Sequence, residues 1–461
     1  MLTMLALTIT AVPVFASESS LIKVGLKYGS AAKDTYTLTC NEGFYVGRST
    51  GSDFAEVEDL TAYDTLLVSA DGDAIVLRDT NGTEIFADLA DYVVLPEDYD
   101  DGGTILIDGS AYRGGFCFTE NQAGTLNSIN ILNVEYYLYG VLNGEMHHAH
   151  PLEALKAQAV AARSFALTNY NTHSEYGFDV CSGTHCQAYK GYSDEYKETC
   201  TAVDETAGLA IYAGGKVVPG YYFKNSGGHT QDSIDVWGGK FSYLTGVEDK
   251  YSPSYPWSVS FTFAELEQKL TAAKKSVGTL KKVAISERNS AGAAAELTFT
   301  GDVGAATLTK ESVRTFFGAG LVKSTMFSFG DAEISPDDTD SGDDQGAVFM
   351  YNGNTKKTLP EKIYAIGSGN KTVQIKGNDS YAGNGTAAVK LSAVASGGNT
   401  GTSAASSASA LETVTAGPLV INGLGYGHGV GMPQDSAIEM AKQGFTFDEI
   451  LQYYYTGIEI R

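Results

Sequence analysis

One stretch restricts the fold more than any other. Residues 151–170, PLEALKAQAVAARSFALTNY, place Leu152, Leu155, Ala159, Ala162 and Ala166 on one helical stripe, and Pro151 suits a first helical turn. The same helix carries Lys156, Arg163 and Tyr170, spaced by seven, on another face. It interrupts a chain whose other runs are short, β-branched and aromatic. Any fold must therefore pack a helix against strands.

Residues 21–132 alternate runs such as IKVGL, TLLVSA, AIVLRD and TILIDG with Gly, Asp and Asn turns, which predicts a β-rich N-terminal part. Residues 133–330 carry the helix above, further strand-like pieces (LAIYAGGKVVPGYYF, KKVAISER, AELTFTG) and two more predicted helices, TFAELEQKLTAAKK and TLTKESVRTFFG. Residues 331–417 begin acidic (PDDTDSGDDQG), turn strand-like, and end in SGGNTGTSAASSASA, a composition expected of an insertion bounded by linkers. The acidic run does not follow the calcium-loop pattern, because Gly342 stands where a ligand is needed. In residues 418–461, glycine occupies every second position from Gly423 to Gly431, which predicts a strand with one bare face that backbone or ligand can approach closely, and TFDE before ILQYYY is a capping-box start for a last helix. The fold class expected is α+β, strand-rich with a few helices.

With 461 residues, 43% of them hydrophobic, the chain can bury a sizeable core in two or three units. The 55 acidic against 31 basic residues, net charge -24, argue against nucleic acid or anionic lipid as partner and favour a neutral or cationic one. Residues 1–20, MLTMLALTITAVPVFASESS, read as an export leader that lacks the usual basic start. The protein is thus expected outside the cell or in its envelope, with the leader cleaved or kept as an anchor. No later stretch reaches the roughly 20 apolar residues of a membrane span.

Glu145 stands between an aromatic run and the alanine-rich helix. A carboxylate there commonly caps or is solvated, but Leu142, Met146 and Pro151 could desolvate it and raise its pKa, as a general acid requires. His147, His148 and His150 follow it without the spacing of a zinc hydrolase, and read as surface histidines. His173, Cys181, His185 and Cys186 form a set that suits tetrahedral zinc, while a Cys181–Cys186 or Cys181–Cys200 disulfide, or free thiols, fits the same spacing. Ser226, His229 and Asp235 lack a nucleophile elbow, so a tight turn is the better account of them than a hydrolytic triad.

The segments YRGGF (112–116), EYYLYGVLNGEM with EALKAQAVAARSFA, NSGGHTQDSIDVWGG, YLTGVED and GYGHGVGMPQDSA with AKQGFTFDEILQYYYTG stand in an order that resembles the stage II sporulation protein D (SpoIID/LytB domain) family. The resemblance covers roughly residues 22–330 and 418–461; the family pattern has proline directly after EM, where this chain reads HHAHP. The family includes lytic transglycosylases of peptidoglycan and enhancers of cell-wall amidases. The resemblance implies a peptidoglycan lytic transglycosylase with Glu145 as catalytic acid, a structural zinc at His173, Cys181, His185 and Cys186, and chemistry that needs no cofactor. Its partners would be peptidoglycan glycan strands, with a cell-wall amidase or other sporulation proteins beside them. Lys156, Arg163, Ser226, His229 and His428 are expected to bind substrate, Lys156 and Arg163 alternatively holding neighbouring loops. On that view Arg163→Ala lowers activity without unfolding the protein. A non-catalytic glycan-binding enhancer and a zinc-stapled structural module are the rival readings.

Overall fold

A computed structural model describes residues 21–330 except 52, 122 and 123, paired strands between 349 and 390, and residues 412–461 except 416. The expected leader at residues 1–20, the acidic run and the Ser/Gly-rich segment fall outside the described residues. The N-terminal part is β-structure, as its alternation predicts. Seven strands pair in the order Val180–Cys181, Leu21–Lys27, Leu126–Asn133, Gly115–Glu120, Val93–Pro96, Phe44–Ser49 and Phe54–Leu60. A six-stranded sheet runs from Ser110–Arg113 through Thr104–Ile107, Thr35–Thr39, Thr65–Asp71 and Ala74–Arg78 to Glu84–Phe86. Side chains from strands of both sheets, among them Leu38, Phe44, Val68, Ile105, Phe116 and Phe118, form one core.

The strand Leu126–Asn133 runs directly into α1 (Val134–Glu145), whose first turn is capped by the Asn133 side chain accepting from Glu135 N. Next comes α2 (Leu152–Thr168), with Pro151 at its N-cap. The predicted stripe holds at Leu155, Ala159, Ala162 and Ala166, which are fully buried with α1, α3 (Lys197–Asp204) and the strand Leu21–Lys27. Leu152 is instead exposed. The opposite face of α2, Ala157, Val160 and Ala161, is buried too, against Val430, Met432 and the C-terminal helices. A helix covered all round is the centre of a domain rather than its surface. Alanine makes that possible, because its small side chain lets elements approach from every direction.

A further body is built by α5 (Phe263–Ala272), α6 (Ser312–Thr315), the sheet Ala305–Thr309, Ala294–Gly301, Leu280–Arg288, Thr413–Val414, and the sheet Pro256–Phe261, Leu419–Leu424, Phe327–Phe329. Between α3 and α5 lies the short α4 (Ser233–Trp237). The chain closes with α7 (Gln434–Lys442) and α8 (Phe447–Tyr454), the latter with the predicted capping box of Thr446 and Glu449. The glycine-alternating segment departs from expectation: its strand stops at Leu424, and Gly425, Gly427, Gly429 and Gly431 take φ of 80°, 127°, 86° and 83°. A Cβ on Gly431 would run into Tyr221 O, so the close approach of backbone expected of these glycines does occur, in a loop rather than a strand. No helix among the described residues is long and apolar enough to cross a membrane.

Candidate active site

Glu145 is the last residue of α1, and the glycines before it explain its surroundings. A Cβ at Gly140 would meet the Tyr189 ring at 2.6 Å, and one at Gly144 would meet Ala188 O at 2.6 Å. These two glycines, one helical turn apart, let residues 188–191 lie directly on the helix, with Lys190 N donating to Gly140 O. That contact brings Ala188 N to 2.7 Å from Glu145 Oε1.

The second group beside the carboxylate is Tyr222, whose hydroxyl favours the ionised form of Glu145. The fully buried Gln187 sets its direction. Gln187 accepts from Tyr137 OH at 3.0 Å and donates from Nε2 to Tyr222 OH at 3.1 Å and Ala162 O at 3.3 Å. Tyr222 thus accepts from the amide and has its own proton left for Glu145. Burial, with the Glu145 charge beside it, pushes the Tyr222 pKa well up, so it stays a donor. At the helix end, Gln434 Nε2 donates to Glu145 O at 3.0 Å and holds a carbonyl that has no partner within the helix.

Burial raises the Glu145 pKa above the ordinary carboxyl range, against the hydrogen bonds from Ala188 N and Tyr222, which lower it. Among the described residues no neighbouring charge contributes. The side chain keeps a partly exposed face. A single carboxyl, desolvated but reachable, can give a proton to a substrate oxygen and take one back.

The other expected binding residues divide. Arg163 is 1% exposed, its guanidinium paired with Glu135 at 2.6 Å and donating to Leu209 O and Val203 O. It cannot touch a substrate; the expectation that it binds one is corrected, because its face of α2 is covered by α1 and α3. Lys156 pairs with Glu153 at 2.9 Å and Glu205 at 2.6 Å, which ties α2 to the end of α3. Ser226 is buried and donates to Asp249 Oδ2 at 2.6 Å. His229 Nδ1 meets the carbonyl of Thr230, so Ser226 and His229 form no relay. His428 donates from Nε2 to Tyr222 O at 3.1 Å and accepts at Nδ1 from Val430 N at 3.1 Å. Both nitrogens are spent on backbone, and burial, with Arg314 nearby, pushes its pKa down to about 4. It supports Tyr222 from behind as a neutral ring, against Phe223 and Trp237. Ser226 and Arg163 therefore do not line a cleft with Glu145. The residues that do surround it, Gln187, Ala188, Tyr222 and Gln434, were not singled out from sequence. Gly140 and Gly144, four apart, were the available signal.

His173, Cys181, His185 and Cys186 do converge, their ligand atoms all within 4.8 Å of one another. Cys186 Sγ lies 3.4 Å from both His173 Nε2 and His185 Nδ1, and Cys181 Sγ lies 3.9 Å from His185 Nδ1. Zinc bonds of about 2.3 Å to sulfur and 2.0–2.1 Å to nitrogen put tetrahedral ligand atoms about 3.3–3.8 Å apart, so the set fits that ion. The five cysteines are free thiols. The loop that closes the set continues directly into Gln187 and Ala188.

The arrangement is a desolvated carboxyl at the end of a helix, set in a strand-rich molecule with a Cys2His2 cluster directly before Gln187 and Ala188. Comparison with known proteins places two segments of the chain in families. Residues 122–212 match the family described as Stage II sporulation protein (SpoIID), and residues 240–341 match a domain of unknown function, DUF8618. Similar curated proteins are an amidase enhancer of Bacillus subtilis (strain 168), 28% identical across 93% of this chain and 55% of its own length, and stage II sporulation protein D of the same organism, 25% identical across 72% and 76%. Stage II sporulation protein D of Bacillus amyloliquefaciens is 30% identical across 31% of this chain and 47% of its own. The chain thus spans about half the length of the amidase enhancer.

Proposed function

We propose that this protein is a peptidoglycan lytic transglycosylase that acts in sporulation or wall remodelling. The observation that carries this is the state of Glu145: desolvated, with a raised pKa, partly exposed, and with no charged group among the described residues shifting it. Hydrolytic glycosidases generally need two carboxyl groups at a set separation. A transglycosylase needs one. Glu145 gives its proton to the glycosidic oxygen as the C1–O bond breaks, and its carboxylate faces the oxocarbenium-like centre. The C6 hydroxyl of the same sugar then attacks C1 and returns its proton to Glu145, leaving a 1,6-anhydro end and consuming no water. The internal hydroxyl supplies by proximity what a second carboxylate and a water supply elsewhere. Ala188 N and Tyr222 hold the carboxyl and steady its ionised form between the two transfers.

Zinc, when bound by His173, Cys181, His185 and Cys186, would be closed by four protein ligands and structural, fixing the loop that carries Gln187 and Ala188. Metal analysis of protein purified without chelators should give about one zinc per chain; none would remove the claim. The substrate requires export, the role assigned to residues 1–20.

The test is mass spectrometry of peptidoglycan incubated with wild type and with Glu145→Gln. New 1,6-anhydro-muramic ends from wild type alone are expected. A second reading, enhancement of a cell-wall amidase, is favoured by the likeness to an amidase enhancer over 93% of this chain. It takes over if neither protein makes anhydro ends while both accelerate an added amidase.

A further inference from the structure

YRGGF, the first of the segments that carry the family resemblance, has no part in the chemistry proposed above. Tyr112 and Arg113 end the strand Ser110–Arg113 of the six-stranded sheet, and from there Arg113 reaches out of the β-structure. Its Nε and Nη2 make a bidentate pair with Glu195, both at 2.8 Å, and Nη1 donates to Gly102 O at 2.6 Å. The guanidinium also lies over the rings of Tyr136 (5.3 Å) and Tyr139 (5.7 Å) on α1 and of Tyr192 (5.0 Å). Arg113 therefore joins three parts of the molecule: the N-terminal β-structure, α1 and the segment 188–195.

That segment begins with Ala188, whose N–H donates to Glu145. On α1 it is held by Lys190 N donating to Gly140 O and Asn143 Nδ2 donating to Asp194 Oδ1, both at 2.8 Å, and Gly140 and Gly144 offer it no side chains to grip. The β-structure meets the same residues. The Tyr112 ring covers Gly191, where a Cβ would come within 2.6 Å of it, and packs on Tyr189 with centroids 5.8 Å apart. Tyr189 is buried and donates to Asn130 Oδ1 at 2.7 Å, while Asn130 Nδ2 donates to Arg113 O at 3.0 Å and Gly115 O at 2.9 Å. Both ends of the segment are thus tied to YRGGF, the first through Tyr112 and Asn130, the last through the Arg113–Glu195 pair. With side chains 19% and 9% exposed, that pair is costly to open, because either charge alone would be stranded. A donor 2.7 Å from a carboxylate needs such rigidity, since hydrogen bonds weaken steeply once distance and angle relax.

We propose that Tyr112 and Arg113 are positioning residues for the acid: they clamp the segment 188–195 onto α1 and thereby keep Ala188 N on the Glu145 carboxylate. The N-terminal β-structure is then a working part of the site. The proposal rests on the reading of Glu145 as the acid.

The test follows the titration of Glu145 itself, by carbon-13 NMR of full-length protein labelled at the glutamate carboxyls, its signal being the one missing from Glu145→Gln. Arg113→Gln with Glu195→Gln opens the clamp and leaves no buried charge unpaired. Arg288→Gln with Glu412→Gln, a pair at 2.6 Å in the body that carries α5, is the control for general loosening. Neither Arg113 nor Glu195 acts on the Glu145 charge directly, so a shift reports the position of the segment. Tyr222 and Tyr137 are the other titratable groups acting with Glu145, and the replacements leave both in place. Because Ala188 N favours the ionised form, the clamp variant is expected to lower the Glu145 ionisation constant about tenfold, with the control unchanged. Its kcat for anhydro ends should fall while KM is kept. A folded clamp variant whose Glu145 titrates as in wild type would show that α1 alone holds the segment, and an equal shift in the control would mean general loosening; either overturns the proposal. If the clamp variant does not fold, Tyr189→Phe carries the test: it keeps the ring, removes the bond to Asn130, and should lower the constant about twofold, an unmoved titration again overturning the clamp. Missing anhydro ends from wild type would remove the cleavage reading and leave the titration result standing.

Discussion

Two buried carboxylates in this molecule have opposite surroundings. Asp249 is 3% exposed and fully engaged: Ser226 and Ser436 donate to it at 2.6 Å, Tyr454 at 2.9 Å and Tyr251 N at 3.2 Å. It knots the turn at 226–228 to α7 and α8. Glu145 has Ala188 N, the Tyr222 hydroxyl and an open face. A carboxylate with every lone pair satisfied and no access serves structure; one partly desolvated and partly satisfied can change its protonation during a reaction.

The largest effect should come from Glu145. Glu145→Gln is expected to lower formation of anhydro ends by about 10²–10⁴-fold. The fold should not suffer. A carboxyl whose pKa is raised by folding holds more protons folded than unfolded, so its ionisation at pH 7 opposes stability and ceases to do so below the ordinary carboxyl range. The variant should therefore melt higher than wild type at pH 7, with the gap closing toward pH 4. For Asp249 the expectation is inverted. Asp249→Ala leaves three hydroxyls without their acceptor and should cost about 3–5 kcal/mol in denaturant unfolding. A well-folded Asp249→Ala protein without activity would break the contrast.

Arg163→Ala is expected to cost about 3–5 kcal/mol, because it leaves Glu135 unpaired. The sign that activity falls through folding would be recovery of turnover in whatever fraction stays folded at low temperature. A smaller effect belongs to His428, which is held neutral at a pKa of about 4, below its unfolded value near 6.5. Its contribution is fully present above the unfolded value and is lost as pH falls toward 4, about 2 kcal/mol by pH 5. His428→Gln should flatten that part of the stability–pH curve; an unchanged slope would show that another group titrates. Smallest is Tyr222→Phe, which removes a donor that favours the ionised Glu145. The alkaline limb of its rate profile should move to higher pH, and a limb that stays in place would mean Tyr222 contributes packing alone.

Much of this was readable in order along the chain. The helices at 152–168 and 447–454, the β-rich N-terminal part and the Cys2His2 set follow from periodicity, capping residues and ligand types, all local properties. Glu145 was also visible, as the lone acid at a helix end among Leu142, Met146 and Pro151. Arg163 and Lys156 were expected to bind substrate or hold neighbouring loops; α2 is enclosed, and their pairs with Glu135 and Glu205, 28 and 49 positions away, fit the second role.

By itself the sequence determined which segments are helix or strand, the stretch after Leu424 excepted, and which side chains have the chemistry of an acid or a metal ligand. These depend on neighbours within a few residues. Only the tertiary structure decided that Ala188 N and Tyr222, 43 and 77 positions from Glu145, meet its carboxylate, that Asp249 and not His229 takes the Ser226 proton, and that His428 faces backbone. Hydrogen bonding and desolvation act through space over a few ångströms, and the packing of α2 between two cores sets those distances.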